Sequence, residues 1–183
     1  MRSRSYGENV PWFPTRQGDW VFLADGTYGQ VEIQAPDIVQ IKKQSGYKFY
    51  TPSAFLKQHP FNLSMNLFTV NKMLNLDLRH TDIAIADVKD KIKQMLQEAI
   101  EQQPYGKYLK KLTVELKDIG DYSLDIGTGA LFSGEAASNY FEIGWLQQNV
   151  ALEACKRYGW QIALQQVTVH QAKPYELMQM NQG

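Results

Sequence analysis

From position 20 onward, short runs of β-branched and aromatic residues alternate with polar ones, and glycine-bearing turns separate them. The alternation predicts strands at 20–23, 28–34, 37–43 and 47–50. Asp25-Gly26 and Ser45-Gly46 fall between these runs. Hairpin turns need such residues there, because glycine takes positive φ without a steric penalty. Thr51-Pro52-Ser53 breaks the fourth strand, 54–56 is long enough for one helical turn, and Asn62-Leu63-Ser64 closes the unit. Four or five strands this short suit a small, strongly bent barrel.

A second pattern follows a junction at 67–71. Residues 73–79 read as a strand with Leu74, Leu76 and Leu78 on one face. Thr81 and Asp82 are N-cap candidates for a helix that runs to about Gln102, with Val88, Ile92 and Leu96 at helical spacing; Pro104 and Gly106 stop it. Strands are predicted at 112–116 and 123–132, joined by a turn at 119–122. A Gly/Ser/Ala connector at 133–138 leads to a helix over 139–158, ended by Gly159. A last strand is predicted at 160–164. The expected class is therefore α+β: a small β-barrel domain, then a βαββαβ order that makes a ferredoxin-like sandwich with two helices on one face of an antiparallel sheet.

Composition narrows the partners. Lys plus Arg equals Asp plus Glu, 19 against 19, so the basic excess of a nucleic-acid binder is missing and no nucleic-acid partner is expected. With one cysteine, Cys155, an internal disulfide is excluded. No apolar run exceeds the five residues 20–24, whereas a membrane-spanning helix takes roughly 20. The arginines at positions 2 and 4 precede no apolar stretch of the kind a secretory signal carries.

Four short elements in the first unit resemble the β-domain of the small-conductance mechanosensitive channel (MscS) family. They are Gly18-Asp19, Gly29-Gln30-Val31, the hairpin strand ending at Pro52, and Asn62-Leu63-Ser64. The family often has asparagine after the proline, where this chain has Ser53. In the family a ferredoxin-like domain follows the β-domain, and a last strand leaves it for a barrel shared by the subunits. The segment QVTVH at 166–170 stands where that strand belongs. The resemblance implies an Sm-like domain at 13–68, a ferredoxin-like domain at 71–164, a barrel strand at 165–170 and a disordered tail at 171–183.

It also implies a function. The chain would be the soluble cytoplasmic vestibule of an inner-membrane channel that releases ions and small osmolytes on hypo-osmotic shock. Its partners would be six further copies in a homo-heptamer, and the membrane through an N-terminal pore region. Trp20, Phe22, Tyr28 and Phe49 are the expected subunit seam, with Val167 and Val169 in the distal barrel. The competing expectation is a pore-less oligomeric scaffold or ligand-binding module with the same two domains.

Other chemistry finds little footing. Gly127-Thr128-Gly129, with Gly134 ahead of a helix, lacks the G-x-G-x-x-G spacing of a dinucleotide loop; a closely approached strand and a flexible connector account for it. His59, His80 and His170 are too scattered for a zinc or nucleophilic site, and Cys155 sits among alanines and leucine as a core thiol. Asp118, Asp121 and Asp125 flank a turn and bond their own backbone there, while Lys42-Lys43 and Lys110-Lys111 read as solvated strand edges. The third strand lacks the aromatic platform of an RNA-recognition module. No enzyme, cofactor or metal is expected.

Overall fold

A computed structural model describes residues 13–77, 85–120 and 122–163. Its first unit is a five-stranded antiparallel sheet in the order β4-β3-β2-β1-β5. The strands are β1 (Trp20–Phe22), β2 (Tyr28–Gln34), β3 (Val39–Lys43), β4 (Gly46–Tyr50) and β5 (Phe61–Asn62). Gly26 and Gly46 take φ of 82° and 122° in the two predicted turns, the conformations that favour glycine. A register shift between Val31 and Ile33 bulges β2 against β3 and adds to the bend. Val21, Leu23, Val31, Val39, Ile41 and Phe55 close one core beneath the sheet. Phe55 arrives on α1 (Pro52–Lys57), whose first turn is capped by the Thr51 hydroxyl, an acceptor for the Ala54 N–H.

The second unit has three full strands in the order β6-β8-β7, all antiparallel: β6 (Phe68–Asp77), β7 (Leu109–Ile119) and β8 (Ser123–Phe132). Helices α2 (Ile85–Glu101) and α3 (Tyr140–Tyr158) cover one face. Val88, Ile92, Leu96 and Ile100 of α2 and Ile143, Val150 and Ala154 of α3 meet Val70, Leu76, Val114, Ile126 and Phe132 in a second core. Burial of this kind contributes roughly 25 cal/mol per Å² of apolar surface and holds the helices to the sheet.

Several boundaries differ from expectation. The stretch 67–71 is not a junction, since β6 starts at Phe68. Phe68 and Val70 share the inward face with Leu74 and Leu76, but Lys72 interrupts that face and hides the alternation. Its stem runs along Gly144 of α3. Strand β7 is longer than 112–116 because bulges after Leu109 and Leu116 break its period. The connector at 133–138 is not flexible; Gly134–Asn139 forms a 3-10 helix with Ala136 and Ala137 buried.

The strand expected at 160–164 is reduced, within the described residues, to one antiparallel bridge, Leu76 to Ile162. Trp160 belongs to the end of α3, its N–H bonding Cys155 O at 2.9 Å after Gly159 at φ 69°, and the pairing with β6 starts only at Gln161, whose carbonyl accepts the Asp77 N–H at 2.9 Å. The bridge still places position 162 on the free edge of β6.

Candidate functional site

Five of the family-motif residues, Gly18, Asp19, Val31, Asn62 and Ser64, converge on one clasp. Gly18, at φ 96°, donates its N–H to Val31 O at 2.7 Å, and Val31 N–H returns to Asp19 O at 2.8 Å. The Asp19 carboxylate accepts the Arg16 N–H at 2.8 Å and the Asn62 amide at 2.7 Å. Asn62, nearly buried, also donates to Pro14 O and accepts the Met65 N–H. Ser64 Oγ takes the Trp20 N–H at 2.8 Å, beside the bond from Leu63 N to Trp20 O. Gly29 lets β3 come close, for a Cβ there would overlap Lys42 O. Pro52 starts α1. Gly18, Asp19, Val31, Asn62 and Ser64 therefore pair backbone that would otherwise end unpaired at the mouth of the sheet.

A second cluster joins the two units. The Tyr28 ring stacks on Trp20 (5.2 Å between centroids) and meets Tyr140 and Phe141 at 5.5 and 4.8 Å. Phe22 and Phe68 reach Tyr140 from the two sides, at 5.7 and 6.0 Å. The Tyr28 hydroxyl donates to Ala137 O at 2.6 Å; burial, with the Glu142 charge nearby, pushes this phenol well above its usual range, so it stays a neutral donor. Gly134 lies so close to the clasp that a Cβ would overlap Ser64 O. Behind the junction, buried Gln147 of α3 donates to Val70 O at 3.1 Å and accepts the Thr128 hydroxyl at 2.7 Å. The helix is thereby pinned to the sheet.

Against this geometry stand three comparisons. No protein-family model and no curated protein matches the chain. Solved structures do. MscS of Helicobacter pylori in its closed state superposes with a TM-score of 0.62 at 13% identity, covering 87% of this chain and 60% of that one. Wild-type MSL1 of Arabidopsis thaliana gives 0.58 at 16% identity over 83% of this chain and 52% of its own. A further Arabidopsis thaliana MSL1 structure gives 0.51 at 15% over 83% and 54%. The chain has the MscS fold. It spans a little over half the length of the MscS and MSL1 chains it matches.

Within this MscS fold the expected seam residues part company. Trp20, Phe22 and Tyr28 are half-buried against the second unit of the same chain, whereas Phe49 on β4 is exposed. Val167 and Val169 lie outside the described residues, as do His80, His170, Asp121 and the tail. Tyr140, Phe141 and Trp145 were not singled out from the sequence, although their i, i+1 and i+5 spacing on one helix was a visible signal. Lys42 and Lys43, expected on a strand edge, belong to β3, which is paired on both sides; strand order is invisible in a linear pattern.

Cys155 is a buried thiol whose ionisation burial opposes, and it belongs to the second core. Gly127 and Gly129 lie where side chains of Lys117, Thr113 and Asn71 close over the strand, a close approach and not a phosphate cradle. Asp118 accepts the Ile119 N–H, and Asp125 accepts the Ser123 hydroxyl at 2.7 Å. Among the described residues no three His, Cys, Asp or Glu side chains gather as a metal site, and no helix is long and apolar enough to cross a membrane.

Beside the junction, Asp25 organises a polar cluster. Its carboxylate accepts Lys48 Nζ at 2.7 Å, the Tyr50 hydroxyl at 2.8 Å and the Thr27 N–H at 2.9 Å. Partial desolvation opposes its charge, but Lys48, Thr27 and Tyr50 outweigh it and hold the carboxyl well below the ordinary aspartate value. Next to this cluster the β3–β4 turn and the start of α3 bound an open groove of about 400 Å³, lined by Tyr28, Phe141, Trp145, Lys42 and Lys43 among others.

Proposed function

We propose that the chain forms the cytoplasmic vestibule wall of an MscS-type mechanosensitive channel. The observation that carries the reading is the superposition of both units at once on a solved MscS, over 87% of the chain. Matching one small barrel or one sandwich would say less, since such folds host many functions. On this reading the first unit (13–68) is the Sm-like ring beneath the membrane, the second (71–164) is the ferredoxin-like wall, and 165–170 contributes a strand to a distal barrel. The sheet order β6-β8-β7, with Ile162 bridged to the outer edge of β6, supports the ferredoxin-like description. Seven copies would assemble, reaching the membrane through a pore region that precedes these domains in the channel subunit.

Ring closure gives each β-domain a neighbour at its edges, which offsets the hazard of unpaired strands. Phe49, 58% exposed on the edge strand β4, is the seam residue this predicts most directly. Trp20, Phe22 and Tyr28 would support the seam from inside by fixing the angle between the units.

The test is an immunoblot of fractionated source cells with an antibody against this chain, paired with hypo-osmotic survival of a strain deleted for the gene. A band larger than the chain in the membrane fraction, with poorer survival of the deletion strain, is expected. A band of the chain's own size confined to the soluble fraction overturns the reading in favour of a pore-less scaffold. For the assembly, Phe49→Glu should lower the oligomeric mass in light scattering; an unchanged mass removes Phe49 from the seam.

A further inference from the structure

The groove beside the junction has the features of a small-molecule site. Its volume, about 400 Å³, is within the range of ligand pockets, and it lies between two structural units, where such pockets concentrate. One wall is an aromatic ladder: Trp20 on Tyr28, Tyr28 on Phe141, and Phe141 stacked nearly parallel to Trp145 at 6.2 Å and 17°. The first two rings are half-buried, while Phe141 and Trp145 remain 42% and 51% exposed. These two rings stay accessible at the edge of the groove.

Lys42 and Lys43 also line the groove, Lys42 on the sheet face of Trp20 and Gln30, and neither has an ion-pair partner among the described residues. Glu142 is the single carboxylate in the lining, and the Asn139 amide already engages it at 2.8 Å. Gln30, Gln44 and Ser138 add neutral donors and acceptors.

The geometry points to a site for a mononucleotide: a planar base laid on the Phe141–Trp145 face, with its phosphate drawn toward the lysines at the end of β3, Lys42 first. Base–aromatic stacking is tolerant of base identity, and lysine binds phosphate as a point charge. The occupant would touch β3 of the first unit and α3 of the second together, so binding would stiffen the junction. This goes beyond the channel reading and is independent of it: a chain that binds without forming rings, or forms rings without binding, separates the two.

The experiment is isothermal titration of the full chain with AMP and with GMP, alongside adenosine and ribose 5-phosphate. Saturable binding of both mononucleotides is expected. Adenosine and ribose 5-phosphate should each bind roughly tenfold or more weaker, as should AMP to Trp145→Ala and to the Lys42→Gln/Lys43→Gln double variant. Phe49→Ala, outside the groove, should bind as the parent does. All these positions are exposed or at a strand end, so circular dichroism should show unchanged folding. Absence of saturable mononucleotide binding, or affinity unchanged in both variants, overturns the proposal. Ribose 5-phosphate binding as tightly as AMP would overturn the stacking role of Phe141 and Trp145.

Discussion

Asn62 donates its side-chain amide to the Asp19 carboxylate at 2.7 Å, joining positions 43 residues apart. That bond fastens the last strand of the first sheet to the turn that enters it. With the bonds from Asn62 to Pro14 O and from Met65 N to Asn62, it makes one side chain the keystone of three loop segments.

Asn62→Ala should therefore destabilise the chain by about 2–3 kcal/mol, since it leaves the half-buried Asp19 carboxylate and two backbone groups short of partners. Asp19→Ala should cost about 1–2 kcal/mol, having fewer buried partners to strand. Urea melts of both variants check this. Equal, negligible losses would mean that water replaces the clasp.

Gly134 tolerates no side chain, because the Ser64 carbonyl occupies the Cβ position and is backbone that has no rotamer to change. Gly134→Ala should cost roughly 2–3 kcal/mol. Gly129→Ala should cost less, for its neighbours there are the side-chain tips of Thr113 and Asn71. Limited proteolysis near the junction should accelerate in Gly134→Ala only. The reverse ranking in melts would contradict the close approach.

Gln147 is 1% exposed and links Val70 O to the Thr128 hydroxyl. Gln147→Leu should lose about 1–3 kcal/mol, because Val70 O loses this donor in the core and the Thr128 hydroxyl keeps only its 3.4 Å bond to Lys72 O. Adding Thr128→Val to it should recover part of that loss by removing one of the weakened groups. A strictly additive double variant would show that the two side chains act independently.

Asp25 predicts an acid-side dependence. Its folded carboxyl lies below the ordinary value near 3.8, so its contribution is fully present above that value and is lost as pH falls toward the folded one. The gap in urea midpoint between the parent and Asp25→Asn should be constant above about pH 5 and narrow progressively below about pH 4. The cluster is partly open to solvent, so added salt should shrink the gap too. A gap that widens on acidification would reverse the assignment.

Several parts of this protein were legible in the linear chain. The strands Tyr28–Gln34 and Ser123–Phe132 followed from alternation alone, and α2 and α3 from helical spacing bounded by Pro104 and Gly159. The succession strand, helix, two strands, helix was legible because each element carries its own period, while of the last expected strand the described residues show one bridge. Where one residue faced the other way, the reading failed locally, as at inward-pointing Lys72 and at the two bulges of β7.

The motif pairs Gly18-Asp19 and Asn62-x-Ser64 were visible as letters, yet their clasp was not. A hydrogen bond across 43 residues has no local signature.

The sequence by itself determined which segments form strands and helices, where they turn, and that two units follow one another, because those outcomes rest on neighbours within a few residues. Only the tertiary structure decided the strand order that makes β3 an inner strand and the use of Trp20, Phe22 and Tyr28 within the chain. It alone brought Lys42 and Lys43 to the same groove as Phe141 and Trp145. These juxtapositions join residues about a hundred positions apart, and they are set by how two cores pack against each other, a property of shape and burial that no window along the chain contains.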